Sequence, residues 1–464
     1  MVTLRSEVTQ KVLIRVFCGI LAILAMLLLE LIQRTIFQKA SIESIKNLQE
    51  NDSKSTIGFF RFIHYLGDAR CYYVLVMLFF NLYSRQTSFY FAFVISFCVY
   101  VECFLKLVLR AGRPFMKSLK IFPFVCELSF GNPSGEAMMS IAFLITLALY
   151  ISSRLKEQTE EMTRNQQISI GVASLFSIMM IILFCLQGSY NGNNTIDEII
   201  FGMELGVLIG CFSHVYIRQM LDKHLKDLMD GMFNQRHRLV VMGASLIMLV
   251  LFTVITICYL AAASDFVPET LWLQYISMKC PVSKQLTELA FHDASYVEFG
   301  LFFYLYGAYL GIVIDSKEYK GSHKFQNQTE LKKTLLRLFL SILIIVPLYV
   351  LPLFLIKSSK YVLLILVIKY AVPSFLMGFT LYGYSKLLYK RFNLIQDESL
   401  NDTSTSFIHE SQQQNDYESD EDKNEDSDKE DSSDSNRRSN RLTLRQDKTM
   451  RDYDKAMKSN INTF

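Results

Sequence analysis

Lys106-Leu-Val-Leu-Arg-Ala-Gly-Arg113-Pro114 closes one apolar run, Asn132-Pro133-Ser134-Gly135-Glu136 opens the next, and Gly188-Ser-Tyr-Asn-Gly-Asn-Asn194-Thr-Ile-Asp197-Glu198 lies between two more. Each polar piece sits at the mouth of a hydrophobic stretch about 20 residues long, the length an α-helix needs to cross a bilayer core. The composition agrees. With 464 residues, 51% of them hydrophobic and 36 of them Phe, the chain is too apolar for an ordinary soluble protein. An all-α polytopic membrane protein is expected, with about ten transmembrane helices. Net charge is only +3 and is segregated into basic loops and an acidic tail, which gives no reason to expect a nucleic-acid partner.

Working outward, spans are expected near 12–32, 71–84, 87–109, 135–153, 168–187, 197–217, 239–263, 298–315, 336–356 and 361–386. Residues 34–57 are polar and read as an exposed loop. Gly58 to Asp68 reads as a re-entrant or interfacial approach to the second span. Residues 218–238 are basic and amphipathic. Residues 393–464 have the composition of a disordered tail, an acidic block from Asp416 to Asp434 and then a basic patch from Arg437 to Arg445. Ser419, Ser427 and Ser432 within it are candidates for phosphorylation. The domains expected are 1–57, a membrane core over 58–218, added helices over 219–392, and the tail.

Lys and Arg in short loops mark the cytosolic side. The 218–238 loop, the loop with Lys317 to Lys333 and the flank Lys386, Lys390, Arg391 all fall on one side when ten spans are counted. Both termini then face the cytosol and the motif loops face lumen or exterior, in a membrane such as the endoplasmic reticulum. The 9 cysteines show no C-x-x-C and no metal-ligand spacing. Cys126 and Cys280 fall in the loops expected on the non-cytosolic side, where they could pair.

The three pieces resemble the signature motifs of the type 2 phosphatidic acid phosphatase superfamily, K-x6-R-P, P-S-G-H and S-R-x5-H-x3-D. Phe122-Pro-Phe-Val-Cys126-Glu127 and Gly131-Asn-Pro-Ser-Gly look most like its glucose-6-phosphatase branch. The resemblance implies a six-helix phosphatase-like core over residues 58–218, and a phosphate clamp at Lys106, Arg113, Ser134 and Gly135. It implies no cofactor and no metal. Glu198 stands where the family has the Asp that orients its nucleophile. Three positions depart: Glu136 replaces the acid His, Gly188 the third clamp cation, and Asn194 the nucleophilic His.

Phosphoryl transfer needs cations on the non-bridging oxygens, a nucleophile, and an acid for the leaving oxygen. An Asn amide does not attack phosphorus, and a Gly neutralises nothing. Glu136 would repel a bound phosphate by roughly 4 kcal/mol at 4 Å in a medium of effective dielectric 20. The sequence therefore reads as a catalytically impaired relative that binds a phospholipid or sugar phosphate, or regulates a protein partner through its tail. The alternatives are an active membrane phosphomonoesterase with an unorthodox site, and a transporter or scaffold.

Plainer readings stand beside these. Lys106 and Arg113 could be interfacial anchors. Asn132, Pro133 and Glu136 have the pattern of a helix start with Pro at its first position. Glu136 could be a first-turn acid, or could pair with Lys106 or Arg113. Glu102, one turn before Lys106, is placed to pair with it. Asn193 and Asn51 head N-x-S/T sequons. His64 and His292 read as structural, with His292-Asp293 relevant only if its loop folds back onto the site.

Overall fold

The computed structural model describes residues 2–50, 53–157, 164–229, 235–280, 289–319, 331–355 and 361–394. All belong to one compact unit, Met1–Gln396. The acidic and basic blocks of the tail and its serines lie outside the described residues, as does Asn51. Among the described residues every regular element is a helix. Its elements are α1 (Val2–Gln49), α2 (Lys54–Gly67), α3 (Ala69–Leu82), α4 (Arg85–Leu109), the short α5 (Pro114–Lys117), α6 (Gly135–Glu157), α7 (Arg164–Tyr190), α8 (Ile196–Phe212), α9 (Arg218–Met229), α10 (Gln235–Asp265), α11 (Thr270–Lys279), α12 (Ala290–Val297), α13 (Phe303–Tyr319), α14 (Leu331–Leu355), α15 (Val362–Ile365), α16 (Val372–Phe379) and α17 (Ser385–Arg391). Wider π turns join α8 to α9 and α15 through α17 into longer rods.

Among the described residues, seven helices are long and apolar enough to cross a membrane. About ten were expected. The second expected span is α3, whose 14 residues are short for a full crossing. The first and ninth lie in α1 and α14. Residues 34–49, expected as loop, continue α1 without a break, because Glu30, Gln33, Ser41 and Gln49 on one helical face find partners across the bundle.

Helix starts follow from their caps. Ser53 accepts from the Thr56 amide at 3.1 Å, Asp68 from Arg70 at 2.8 Å, and Ser84 from Thr87 at 3.1 Å. α2 is amphipathic, with Phe59, Phe62 and Tyr65 exposed and Ile63, His64 and Gly67 buried. It covers the stretch Gly58 to Asp68 as a helix and docks through Phe60, whose ring stacks on Tyr190 at 4.2 Å.

α4 is the axis of the bundle and touches α3, α6, α8, α9, α10, α12 and α13. α6 and α8 pack along Gly202, Gly206 and Gly210. A Cβ at Gly202 would lie 2.5 Å from the Ser134 carbonyl oxygen, so only glycine lets the two helices approach this closely. That contact brings the second motif against the third, and the Ser134 amide donates to the Glu198 carbonyl at 3.1 Å.

The loops at this end are covered by α11 and α12. Cys126 and Cys280 form a disulfide, the pairing that the sequence left open. Lys279 Nζ donates to the carbonyls of Phe115, Ser118 and Ile121 at 3.0, 2.5 and 2.8 Å. Trp272 fills the space beside Gly112, where a Cβ would meet its ring at 2.5 Å.

Candidate functional site

α4 delivers the first motif. Its last turn holds Lys106, and the chain leaves through Arg110 in the left-handed region at φ 50°. For a non-glycine residue that is an uncommon conformation, and it turns the next residues back so that Arg113 points under the bundle end. Lys106 is buried, with Nζ 2.6 Å from Glu102 Oε1, the pairing expected, and 3.8 Å from Glu298 Oε2. Arg113 is buried too. Its Nε donates to the Ser129 carbonyl at 2.8 Å, its Nη2 to Ser129 Oγ at 2.8 Å, its Nη1 to the Asn193 carbonyl at 3.1 Å, and it pairs with the Glu127 carboxylate.

The second motif differs from the expected helix start. α6 begins at Gly135, so Pro133 lies outside the helix rather than at its first position. Asn132 donates its amide to Glu30 at 2.6 Å instead of capping. A Cβ at Gly135 would run into the Glu102 carboxylate, so a larger residue here would displace Glu102 from its place beside Lys106. Glu136 pairs with neither Lys106 nor Arg113. Its Oε1 lies 2.5 Å from His64 Nδ1. The other ring nitrogen of His64 is 3.2 Å from Glu127 Oε1.

In the third motif, Asn194 donates its amide to the Gly131 carbonyl at 2.7 Å and approaches Glu198 Oε2 at 3.5 Å. Glu198 itself closes a capping box, accepting from the Thr195 amide at 3.0 Å. Asn193 is 2% exposed and Arg113 holds its carbonyl, so a glycan does not fit there.

These residues enclose a cavity of about 60 Å³, lined by Lys106, Arg113, Gly135, Glu136 and Asn194 of the motifs. Ser134 does not line it and is buried against Gly202 instead. The wall also carries Asp68, Arg70, Glu102, Glu127 and Glu298. The lining thus holds five carboxylates against the three cations Arg70, Lys106 and Arg113. Burial would push the His64 ring down, but the facing carboxylates of Glu136 and Glu127 outweigh it and hold the ring at about 9. Burial would push Glu127 up, and Arg113, His64, Lys106 and Arg70 together hold it below the usual carboxylate value.

His64, Glu127 and Glu298 are site residues that motif reading missed. The one signal for His64 was its position on the inner face of an amphipathic helix leading into the core. His292, by contrast, is enclosed by Phe130 and Phe266, with ring centroids 5.2 and 5.8 Å away, and does not line the cavity. Asp293 accepts from Tyr259 at 2.9 Å, and Glu204 accepts from Gln33 at 2.8 Å.

The arrangement is that of an all-α multi-pass membrane protein with three helix-end motifs converging on one buried polar cavity. Residues 87–221, the stretch that contains all three motifs, match the family model described as PAP2 superfamily, and the chain carries a domain of the type 2 phosphatidic acid phosphatase superfamily there. His64 and Glu298 lie outside the matched residues. Comparison with curated proteins and with solved structures gives no match.

Proposed function

We propose that this membrane protein of the phosphatase superfamily no longer transfers phosphoryl groups and acts by binding at its motif pocket. The observation that carries this is the fate of the two clamp cations. Lys106 is neutralised by Glu102, and Arg113 by Glu127, so neither is offered to a phosphate. Asn194, at the nucleophile position, spends its amide on the Gly131 carbonyl. A phosphate entering here would have to displace buried carboxylates and face Glu136 and Glu298 as well. Lipid surrounds the outer helices in this reading. The basic loops face the cytosol, and the motif end faces an oxidising compartment, where the Cys126–Cys280 bridge persists. Capture of a protein partner by residues 393–464 is part of the same proposal.

The test is hydrolysis of phosphatidate, sphingoid phosphates and glucose 6-phosphate by the purified full-length chain, beside the triple variant Gly188→Arg, Glu136→His, Asn194→His. The native chain is expected to be silent, with measurable turnover in the restored one. Turnover by the native chain defeats the proposal. Topology is checked by thiol labelling of intact microsomes. Cys126 and Cys280 should become reactive only after reduction and permeabilisation, and labelling from the cytosolic side would reverse the orientation.

A second reading rests on the His64–Glu136 contact. A carboxylate holding one imidazole nitrogen beside a clamp Arg is how a general base is oriented. Held at about 9, however, the ring is already protonated near neutral pH and cannot take a proton from water. This reading requires native turnover that rises toward alkaline pH and is lost in His64→Ala.

A further inference from the structure

We propose that His64, Glu127 and Glu136 form a binding site for a borderline divalent cation of the zinc and manganese class, built where the superfamily holds an anion. The inference deepens the reading of the pocket as non-hydrolytic. Three separate elements supply the three side chains: α2, the loop between the first and second motifs, and the first turn of α6. Their donor atoms lie within 4.8 Å of one another. His64 is 5% exposed, so the imidazole is held in the protein rather than at its surface.

The geometry divides the roles. His64 Nε2 and Glu127 Oε1 are 3.2 Å apart, the separation of two donors each about 2.1 Å from a shared ion. Glu136 grips the opposite ring nitrogen at 2.5 Å, the second partner that a metal-bound histidine usually has. Arg113 holds the Glu127 carboxylate from behind and fixes its direction. The adjoining cavity of about 60 Å³ has room for the water molecules that would complete the coordination.

Charge favours the same occupant. Five carboxylates face Arg70, Lys106 and Arg113 around the cavity, with the protonated His64 ring as a fourth cation beside them; the remaining negative excess repels phosphate and grows when the ring gives up its proton to a divalent cation. Binding replaces the proton that the His64 ring shares with its two carboxylates. One imidazole among carboxylates selects zinc or manganese over magnesium and calcium, which favour all-oxygen sites. The ion would tie α2 and the motif loop to α6 and lock the pocket shut from that side.

The experiment uses the full-length chain in detergent, stripped with a chelator and then loaded separately with Zn²⁺, Mn²⁺ or Mg²⁺. Metal content after desalting should approach one Zn²⁺ or Mn²⁺ per chain, with little Mg²⁺ retained. His64→Ala should weaken Zn²⁺ binding by tenfold or more, and Glu136→Gln by a smaller factor. Should a variant fail to fold, pulsed electron spin resonance of the Mn²⁺-loaded native chain decides alone, since a coordinated imidazole nitrogen must appear. No stoichiometric metal, no nitrogen signal, or equal retention by a folded His64→Ala overturns the site. The phosphatase assay on the same samples separates the two claims. Turnover without metal defeats only the non-hydrolytic reading, while turnover that requires the metal defeats that reading and supports the site.

Discussion

Two buried ionic clusters sit at opposite ends of α4, and they are built differently. At its start, Arg85 donates to Asp315 Oδ2 at 2.7 Å and to the Tyr382 carbonyl at 2.5 Å, one cation against one carboxylate, with the guanidinium over the Phe80 ring. Near its other end, 21 residues and about 32 Å further along the helix, Lys106 enters a cavity where carboxylates outnumber Lys and Arg. The first cluster is matched and closed. The second is unmatched and keeps an opening. A buried ion pair that only fastens helices has no use for surplus charge, because each extra ion costs desolvation energy that nothing repays. The surplus marks the motif end as a place shaped for a ligand, and its sign marks that ligand as a cation.

The largest effect that tests this comparison belongs to the matched end. Arg85→Ala leaves Asp315 buried without its partner and should destabilise the folded chain by about 3–5 kcal/mol. Thermal unfolding in detergent measures it. Arg85→Ala with Asp315→Leu should recover much of the loss, since the stranded charge is then gone. A small effect of the single variant would mean that water reaches this end, and the contrast between the clusters would collapse.

The next effect comes from His64 and appears as a pH dependence in chelator-stripped protein. The folded ring is held at about 9 against an unfolded value of about 6.5, a raised pKa. Its contribution, about 3 kcal/mol for a side chain 7% exposed, is fully present below pH 6.5 and is lost as pH rises through 9. Unfolding temperature should therefore fall across that window in the native chain and stay flatter in His64→Gln. An unchanged slope in His64→Gln would show that the ring does not bridge Glu127 and Glu136.

How much of this was legible in the sequence depends on the range of each interaction. Helices and the three motifs were readable because apolar runs and short spacings are local. Lys106 with Glu102 was readable because the two are one turn apart. Glu136 was readable as an acid in the first turn of its helix, but its partner was not, because His64 lies 72 positions earlier on a separate helix and no local pattern links them. The extension of α1 through residues 34–49 was missed for the same reason, since its polar face is satisfied by Asn132, Tyr190 and Ile196 far along the chain. The disulfide joins residues 154 positions apart, and only the covering of the motif loops by α11 brings them together.

The smallest expected effect is also the sharpest test of surplus charge. Glu298 reaches the cavity from the turn before α13, and the cation it pairs with among the described residues, Lys106, is 3.8 Å away and already held by Glu102 at 2.6 Å. Glu298→Gln removes a charge from the crowded end while keeping the shape of the side chain. At a matched site such a change strands a partner; here Lys106 retains Glu102, so stability should change by less than about 1 kcal/mol or rise slightly. Zn²⁺ affinity should fall by a factor of a few, because the variant lowers the negative field at the ion without touching its ligands. A loss as large as that of Arg85→Ala would mean that Glu298 is an essential partner of Lys106. The carboxylates at this end would then be structural, and the argument for a cation site would have to rest on His64, Glu127 and Glu136 alone.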